Sequence, residues 1–276
     1  MSPPYQPFEQ RDAVIAWERR AGIRAALLAE ATRRMLDSAR LGPRSQVLDV
    51  GTGTGDTALL AAERVGPAGH VLAIDASPEM VEQAIGKVRK AGLDNVDVQV
   101  MDGARLALQD VSRDAVIGRN AMQFLPGWPL PLMGFHRVLR RGGRLAFIVW
   151  GPPEENPYFH LPVSLAREHG WMRAPREALE TPYRLADADR LHADLTTAGF
   201  RDAAVARVAI DVQMPEAVPL ASYLRESPMF HANADQLSTE ERVAFDAALV
   251  AAIERFREGD SYRIPVISLL VTGTRS

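Results

Sequence analysis

The stretch VLDVGTGTG, residues 47–55, decides the fold. SQVLDV (45–50) is short, apolar and β-branched enough to read as a buried strand, and it runs straight into Gly51, Gly53 and Gly55. DTALLAAERV (56–65) then continues as a helix that stops at GPAG. Glycine in such a strand-to-helix turn lets the backbone bend tightly and lets a ligand approach main-chain atoms that a Cβ would screen. A lone G-x-G is also what an ordinary turn uses, so the neighbours must narrow the choice. The dinucleotide fingerprint G-x-G-x-x-G would place its third glycine at position 56, where Asp56 stands. A carboxylate there opposes a pyrophosphate resting on the helix N-terminus. Asp49, at the end of the strand, instead offers negative charge beside the turn and suits a ligand that carries an amino group.

Outward from the turn the same rhythm repeats. HVLAID (70–75) reads as the second strand, SPEMVEQAIGKVRKAG (77–92) as its helix with Ser77 as N-cap and Pro78 at N1, and VDVQVMD (96–102) as the third strand. DAVIGR (114–119) is the fourth strand, PLPLMGFHRVLRR (129–141) carries a helix, and GRLAFIVW (143–150) is the fifth strand. Strands alternating with helices at these lengths are the pattern of a mostly parallel sheet covered on both faces. Ahead of the first strand, Val14, Trp17, Ile23, Leu27, Leu28, Met35 and Leu36 recur at helical spacing, giving one or two amphipathic helices over about 8–40. Beyond Trp150 the rhythm breaks. Residues 151–183 are too long for a plain connection and read as a helical cap, followed by a helix at about 187–198. A strand at 202–214, helices at about 216–226 and 238–257, and a returning strand at 263–275 complete the chain. The organisation expected is therefore an N-terminal helical arm (1–43), a ligand-binding core (44–150), and cap insertions with completion of the sheet (151–276).

Composition limits the chemistry. The 276 residues are 47% hydrophobic and include no cysteine, which removes thiol nucleophiles, Cys-ligated zinc and iron–sulfur clusters together. The net charge of -3 gives no general attraction to nucleic acid or an anionic membrane, and neither partner is expected. Lys87 and Lys90 are the only lysines. No signal-type segment opens the chain and no apolar run is long enough to span a bilayer, so a cytoplasmic location is the expectation. The histidines form no H-x-H or H-E-x-x-H pattern, and no metal site is expected.

These residues together resemble the class I methyltransferases that use S-adenosylmethionine, and most closely the ubiquinone/menaquinone-biosynthesis-type branch of small-molecule enzymes. The resemblance is strong over about 44–150. It implies a Rossmann-like α/β fold with a seven-stranded, mostly parallel sheet, helices on both faces, and a helical cap from the N-terminal helices and late insertions. In that family a D-x-G-x-G-x-G segment wraps the methionine portion of the cofactor, here Asp49, Gly51, Thr52, Gly53 and Gly55. The resemblance further implies that Asp75, followed by Ala76, receives the ribose hydroxyls, as one carboxylate accepting two hydrogen bonds can. Asp102, with Gly103 and Ala104, would bind the adenine amino group. Met80 would pack an adenine face; ordinary helix–sheet core is its alternative reading. Arg119, Asn120 and Phe124 in RNAMQFLP line the cofactor in the same scheme, and RVLRRGGRLAFIVW is similar to the family's R-V-L-K-P-G-G segment, with Arg141 where proline is common.

For the second substrate, Trp17, Trp150, Tyr158, Phe159, Trp171, Met172 and Phe230 are candidate wall residues, each with core packing as its alternative. His160, His169 and His231 fall in cap-like segments and are the candidate bases, whereas His70 and His136 read as structural. The leading expectation is methyl transfer to O, C or N of a hydrophobic or aromatic small molecule, in specialised or quinone-like metabolism. Two other readings stay open: a cofactor-bound protein catalysing a cyclisation or rearrangement, and a non-catalytic partner-binding subunit. A homodimer is likewise left open.

Overall fold

The structure is a computed structural model that describes residues 21–173, 180–214, 221, 224 and 230–276. In chain order the elements are α1 (Ala21–Ser38), β1 (Gln46–Val50), α2 (Asp56–Val65), β2 (His70–Asp75), α3 (Pro78–Ala91), β3 (Val96–Val100) and β4 (Arg113–Arg119). They continue as α4 (Pro131–Val138), β5 (Leu139–Trp150), α5 (Pro157–Glu168), α6 (Ala188–Thr197), β6 (Phe200–Met214), α7 (His231–Ala234), α8 (Thr239–Ile253), β7 (Arg257–Glu258) and β8 (Ser261–Arg275). The sheet runs β3-β2-β1-β4-β5-β8-β6, a path of seven strands, and the two-residue β7 pairs antiparallel with β8 off that path. Strands β1 to β5 are mutually parallel where they pair. The fold is thus Rossmann-like α/β. No helix among the described residues is long and apolar enough to cross a membrane.

The chain divides into two compact units, one of residues up to 149 with 187–208 and 269–276, the other of 150–186 with 209–268. The first unit is built on strands with continuous apolar runs. Val47, Leu48 and Val50 of β1, Val71 to Ile74 of β2, Ala115 to Ile117 of β4 and Leu145 to Val149 of β5 are all buried, as strands covered on both faces must be. α2 presents Ala58, Ala61, Ala62 and Val65 inward, and α3 presents Met80, Val81, Ala84 and Val88, each set at helical spacing. Ser77 caps α3 by accepting from the Met80 N–H, with Pro78 at the first turn. The chain enters the sheet at β1, walks outward to β3, and returns to place β4 on the other side of β1. That reversal makes the carboxyl ends of β1 and β4 the natural ligand crevice.

The second unit has its own aromatic core. Phe230 stacks on Phe245 at 4.9 Å, Trp171 meets Phe245 edge-on, and Trp150 lies 4.5 Å from Phe159. Buried Asn156 fastens the start of α5, donating to the Pro152 carbonyl and accepting from the Ile267 N–H at 2.9 Å.

Two local expectations are corrected. The helix expected over 129–141 ends at Val138, and β5 starts at Leu139, six residues before the apolar run begins. The register with β4 slips between Arg113 and Ala115, so Leu139 pairs as β strand and residues 140–143 bulge, with Gly142 at φ 76. β3 ends at Val100, and Asp102 stands in the turn after it. Val14 and Trp17, and most of the helix expected at 216–226, lie outside the described residues.

Candidate cofactor site

Asp49 ends β1 with its side chain fully buried. One oxygen, Oδ2, accepts from the Thr52 hydroxyl at 2.7 Å, and the other, Oδ1, has no hydrogen-bond partner among the described residues. Burial pushes the carboxyl up to about 6, although the Thr52 hydrogen bond and the Arg119 charge act in the opposite direction; Asp75 and Asp56 add repulsion. A buried oxygen without a donor is costly and is ready to receive a cationic or N–H ligand group.

The three turn glycines do different jobs. Gly51 has φ 67 and a Cβ there would overlap the Cβ of Ala121, so this glycine lets the β1 turn touch the segment after β4. Gly55 lies against Ala84 and packs α2 onto α3. Gly53, at φ 57, has nothing within 4 Å of where its Cβ would be. It is the turn glycine that opens onto free space, and a side chain there would fill the cradle. Its N–H donates to Asp75 Oδ2 at 2.9 Å, which joins the turn to the end of β2. Asp75 Oδ1 accepts from the Ser77 N–H at 3.0 Å. Burial raises the Asp75 carboxyl against these backbone donors from Ser77, Gly53 and Ala76. Three backbone donors on about four lone-pair sites leave Asp75 room to accept one further hydrogen bond from a ligand hydroxyl.

The other expected residues are placed less uniformly. Gly103 is buried, with its would-be Cβ 2.7 Å from Val50 Cγ1 and 3.0 Å from Leu125 Cδ2, which brings the turn after β3 against the end of β1. Asp102 is exposed and accepts from the Ala104 N–H at 2.8 Å. Ala76 is exposed, and Met80 is 2% exposed within the first turn of α3, a position compatible with the core reading. Phe124 is half-buried in a 3-10 turn. Asn120 follows β4 at φ 52, and neither its Oδ1 nor its Nδ2, both buried, has a partner. A left-handed backbone joined to an amide unpaired among the described residues is unusual, and Asn120 is one of the residues that the family resemblance singles out.

Arg119 does something the sequence did not announce. Its side chain is 10% exposed, with its guanidinium 3.5 Å from Asp56 and 3.4 Å from the Thr32 hydroxyl. Asp56 also accepts from Lys87 Nζ at 2.8 Å, and the same ammonium donates to Thr54. The carboxylate that argued against a pyrophosphate is therefore a strut that pins α2, α3 and the end of β4 together. No spacing rule could have paired Asp56 with residues so distant in sequence. The electrostatic character that results is acidic at the turn, with Asp49 and Asp75 facing the crevice, and it favours a ligand with positive charge.

The three candidate bases belong to the second unit. His160 on α5 is half-buried, edge-on to Tyr183, and burial together with Arg167 pushes its imidazole below the ordinary value, so it is neutral near pH 7. His169 is exposed and stacks on Trp171 at 4.4 Å. His231 opens the four-residue α7, and its side chain is outside the described ones. Of the two histidines expected to be structural, His70 pairs with Asp97 at 3.1 Å and His136 packs edge-on to Phe200.

Residues 47–143 match the family model described as "Methyltransferase domain". Aklanonic acid methyltransferase DauC of Streptomyces sp. (strain C5) is 31% identical over 170 residues, which are 54% of this chain and 77% of that protein. The demethylmenaquinone methyltransferase of Listeria monocytogenes is 31% identical over 163 residues, 54% of this chain and 69% of that one. An arsenite methyltransferase of Halobacterium salinarum is 37% identical over 108 residues, but the match spans only 28% of its length. A solved SAM-dependent methyltransferase from Aquifex aeolicus superposes with a TM-score of 0.54 at 26% identity, covering 70% of this chain and 90% of that one. The buried acceptor of Asp49, the open cradle at Gly53 and the remaining acceptor site of Asp75 fit an amino-bearing nucleoside ligand, and with these relatives they place the chain in the class I methyltransferase family, as an enzyme whose cofactor is S-adenosylmethionine.

Proposed function

We propose that this enzyme methylates an oxygen, carbon or nitrogen of a hydrophobic or aromatic small molecule, in specialised or quinone-like metabolism. The observation that carries the reading is the aromatic content of the second unit, where Trp150 lies against Phe159, and Trp171 and Phe230 pack on Phe245. The similarity to methyltransferases of aklanonic acid and demethylmenaquinone, both named for organic acceptors, supports it.

In this proposal Asp49 and the main chain of Gly51, Thr52, Gly53 and Gly55 hold the methionine portion of the cofactor, and Asp75 with Ala76 holds the ribose. Asp102, Gly103, Ala104 and Met80 receive the adenine, and Asn120 and Phe124 border the reacting end, with Arg119 supporting them. When bound, S-adenosylmethionine supplies a methyl group already activated by its sulfonium. The chain is then left with orientation and exclusion of water, contributions that can account for most of the rate enhancement. A proton must leave only if the acceptor is a hydroxyl or an acidic carbon, and neutral His160 is the residue best suited to take it, ahead of His169 and His231.

Incubation of purified enzyme and labelled S-adenosylmethionine with a panel of aromatic polyketide acids and demethylated quinols tests the reading. Label transferred to one of these classes is expected. Cofactor binding by calorimetry with transfer confined to polar amines or to macromolecules would overturn it.

A further inference from the structure

At the end of the sheet opposite the glycine turn lies a cleft of about 300 Å³, lined by Ala39, Arg40, Ser45, Asp114, Ala115 and residues 140–144. β1 and β4 begin there, whereas the turn glycines follow the end of β1, so the strand length itself separates the two places. Four arginines, Arg40, Arg140, Arg141 and Arg144, line the cleft with one carboxylate, Asp114, in a protein whose net charge is -3. Arg140 is committed to Asp114, whose two oxygens it reaches at 2.7 Å, and Asp114 also accepts from the Gln46 N–H. Arg144 is anchored on the Ser38 carbonyl and the Thr274 hydroxyl. Arg40 and Arg141 are exposed and have no side-chain partner among the described residues.

Like charges are held together here without enough carboxylate to balance them. Burial is the first cause that disfavours the charged form of Arg144 and of Arg113, next in sequence to the cleft's Asp114, and Arg40 adds to it at Arg144 as Arg140 does at Arg113, whose Nε is buried without a partner among the described residues. Asp202 relieves Arg144 in part, and Asp97 and Asp114 relieve Arg113 in part. Guanidinium forks match phosphate oxygens in geometry and charge, and the cleft volume lies at the small end of ligand pockets. We propose that this cleft is a second ligand site, one that binds a small phosphate-bearing anion through Arg40, Arg141 and Arg144, with the Ser45 hydroxyl as a further donor. The phosphate groups could belong to an inorganic polyphosphate or to a phosphorylated metabolite, since the cleft recognises the shared phosphate chemistry.

Calorimetric titration of the intact enzyme with pyrophosphate, orthophosphate and ADP, each at matched ionic strength, tests this. Saturable binding of at least one is expected, with the order of affinities distinguishing a bare phosphate chain from a phosphorylated metabolite. The R40A/R141A double variant removes two exposed side chains that support nothing else in the fold, and it should weaken that binding at least tenfold while leaving S-adenosylmethionine affinity unchanged. Absence of saturable binding by all three probes would overturn the site, as would undiminished binding by the double variant. Loss of binding in a D75A variant with retention in R40A/R141A would assign the anion to the cofactor site and would equally overturn the proposal.

Discussion

Asp49 makes the sharpest quantitative test, because its carboxyl is buried, half-paired and shifted. Its value rises from 3.8 to about 6, so the native protein resists ionisation of a group that ionises freely when unfolded. A raised native value means that the stabilising difference is fully present below 3.8 and is lost as pH rises through about 6. Each pKa unit corresponds to about 1.4 kcal/mol, so ionising Asp49 in the empty site costs about 3 kcal/mol once pH is well above 6. Roughly half of that cost develops between about pH 5 and about pH 8, about 1 to 2 kcal/mol. In Asp49→Asn the Oδ1 still accepts from Thr52 and the group cannot ionise. Denaturant melts of the cofactor-free wild type and variant at the two pH values should therefore show the variant gaining about 1 to 2 kcal/mol relative to wild type as pH rises. Any constant cost of the buried amide cancels in this double difference. A difference independent of pH, or one of opposite sign, would refute the assignment of Asp49 as a charge the fold tolerates for its ligand. Wild-type cofactor affinity should also fall as pH drops below about 6, while the variant binds weakly at every pH.

Other substitutions separate packing from ligand contact. Gly51→Ala should destabilise the fold, because its Cβ would overlap Ala121, and thermal melts will register this without cofactor. Gly53→Ala meets no protein atom and should leave the melt changed only by the backbone cost of about 1–2 kcal/mol, yet weaken S-adenosylmethionine binding in calorimetry by at least tenfold. Asp75→Ala should reduce cofactor affinity at least tenfold, and undiminished affinity would sink the assigned ribose contact. Asp56→Ala strands the buried Arg119 without its carboxylate and should cost about 3–5 kcal/mol in stability. Wild-type stability in that variant would remove the strut. Substituting His160 by glutamine should lower turnover with little change in cofactor affinity; unchanged turnover across the pH range would eliminate it as the base.

The parts of this fold that sequence exposes are those governed by local periodicity. Leu145–Val149 is apolar at every position, and Val47–Val50 at every position but Asp49, because both faces of the sheet are covered, and that separates them from α2 and α3, whose buried residues recur at helical spacing. The start of β5 at Leu139 was not legible, since its pairing with Arg113 is fixed by a bulge around Gly142 and not by hydrophobic alternation. Aromatic residues of the second unit, such as Phe230 and Phe245, cannot be ordered from spacing either, because stacking between positions so far apart depends on the tertiary path.

The same division runs through the site. Asp49 and Gly53 were singled out by a strand end running into glycines, and Asp75 by the family resemblance together with what one carboxylate can accept. What the motif concealed is that its glycines are not equivalent. Gly51 and Gly55 serve the contacts with Ala121 and Ala84, whereas Gly53 keeps the cradle open. Asp56 shows the converse. It was informative in sequence as a departure from the dinucleotide pattern, and in three dimensions it joins Lys87 to Arg119 and leaves the crevice acidic. Exclusion of pyrophosphate chemistry and selection for a cationic ligand are therefore consequences of one set of charges: the ion pairs of Asp56 consume the nearby basic groups, and Asp49 is left buried with an oxygen that nothing in the described chain satisfies.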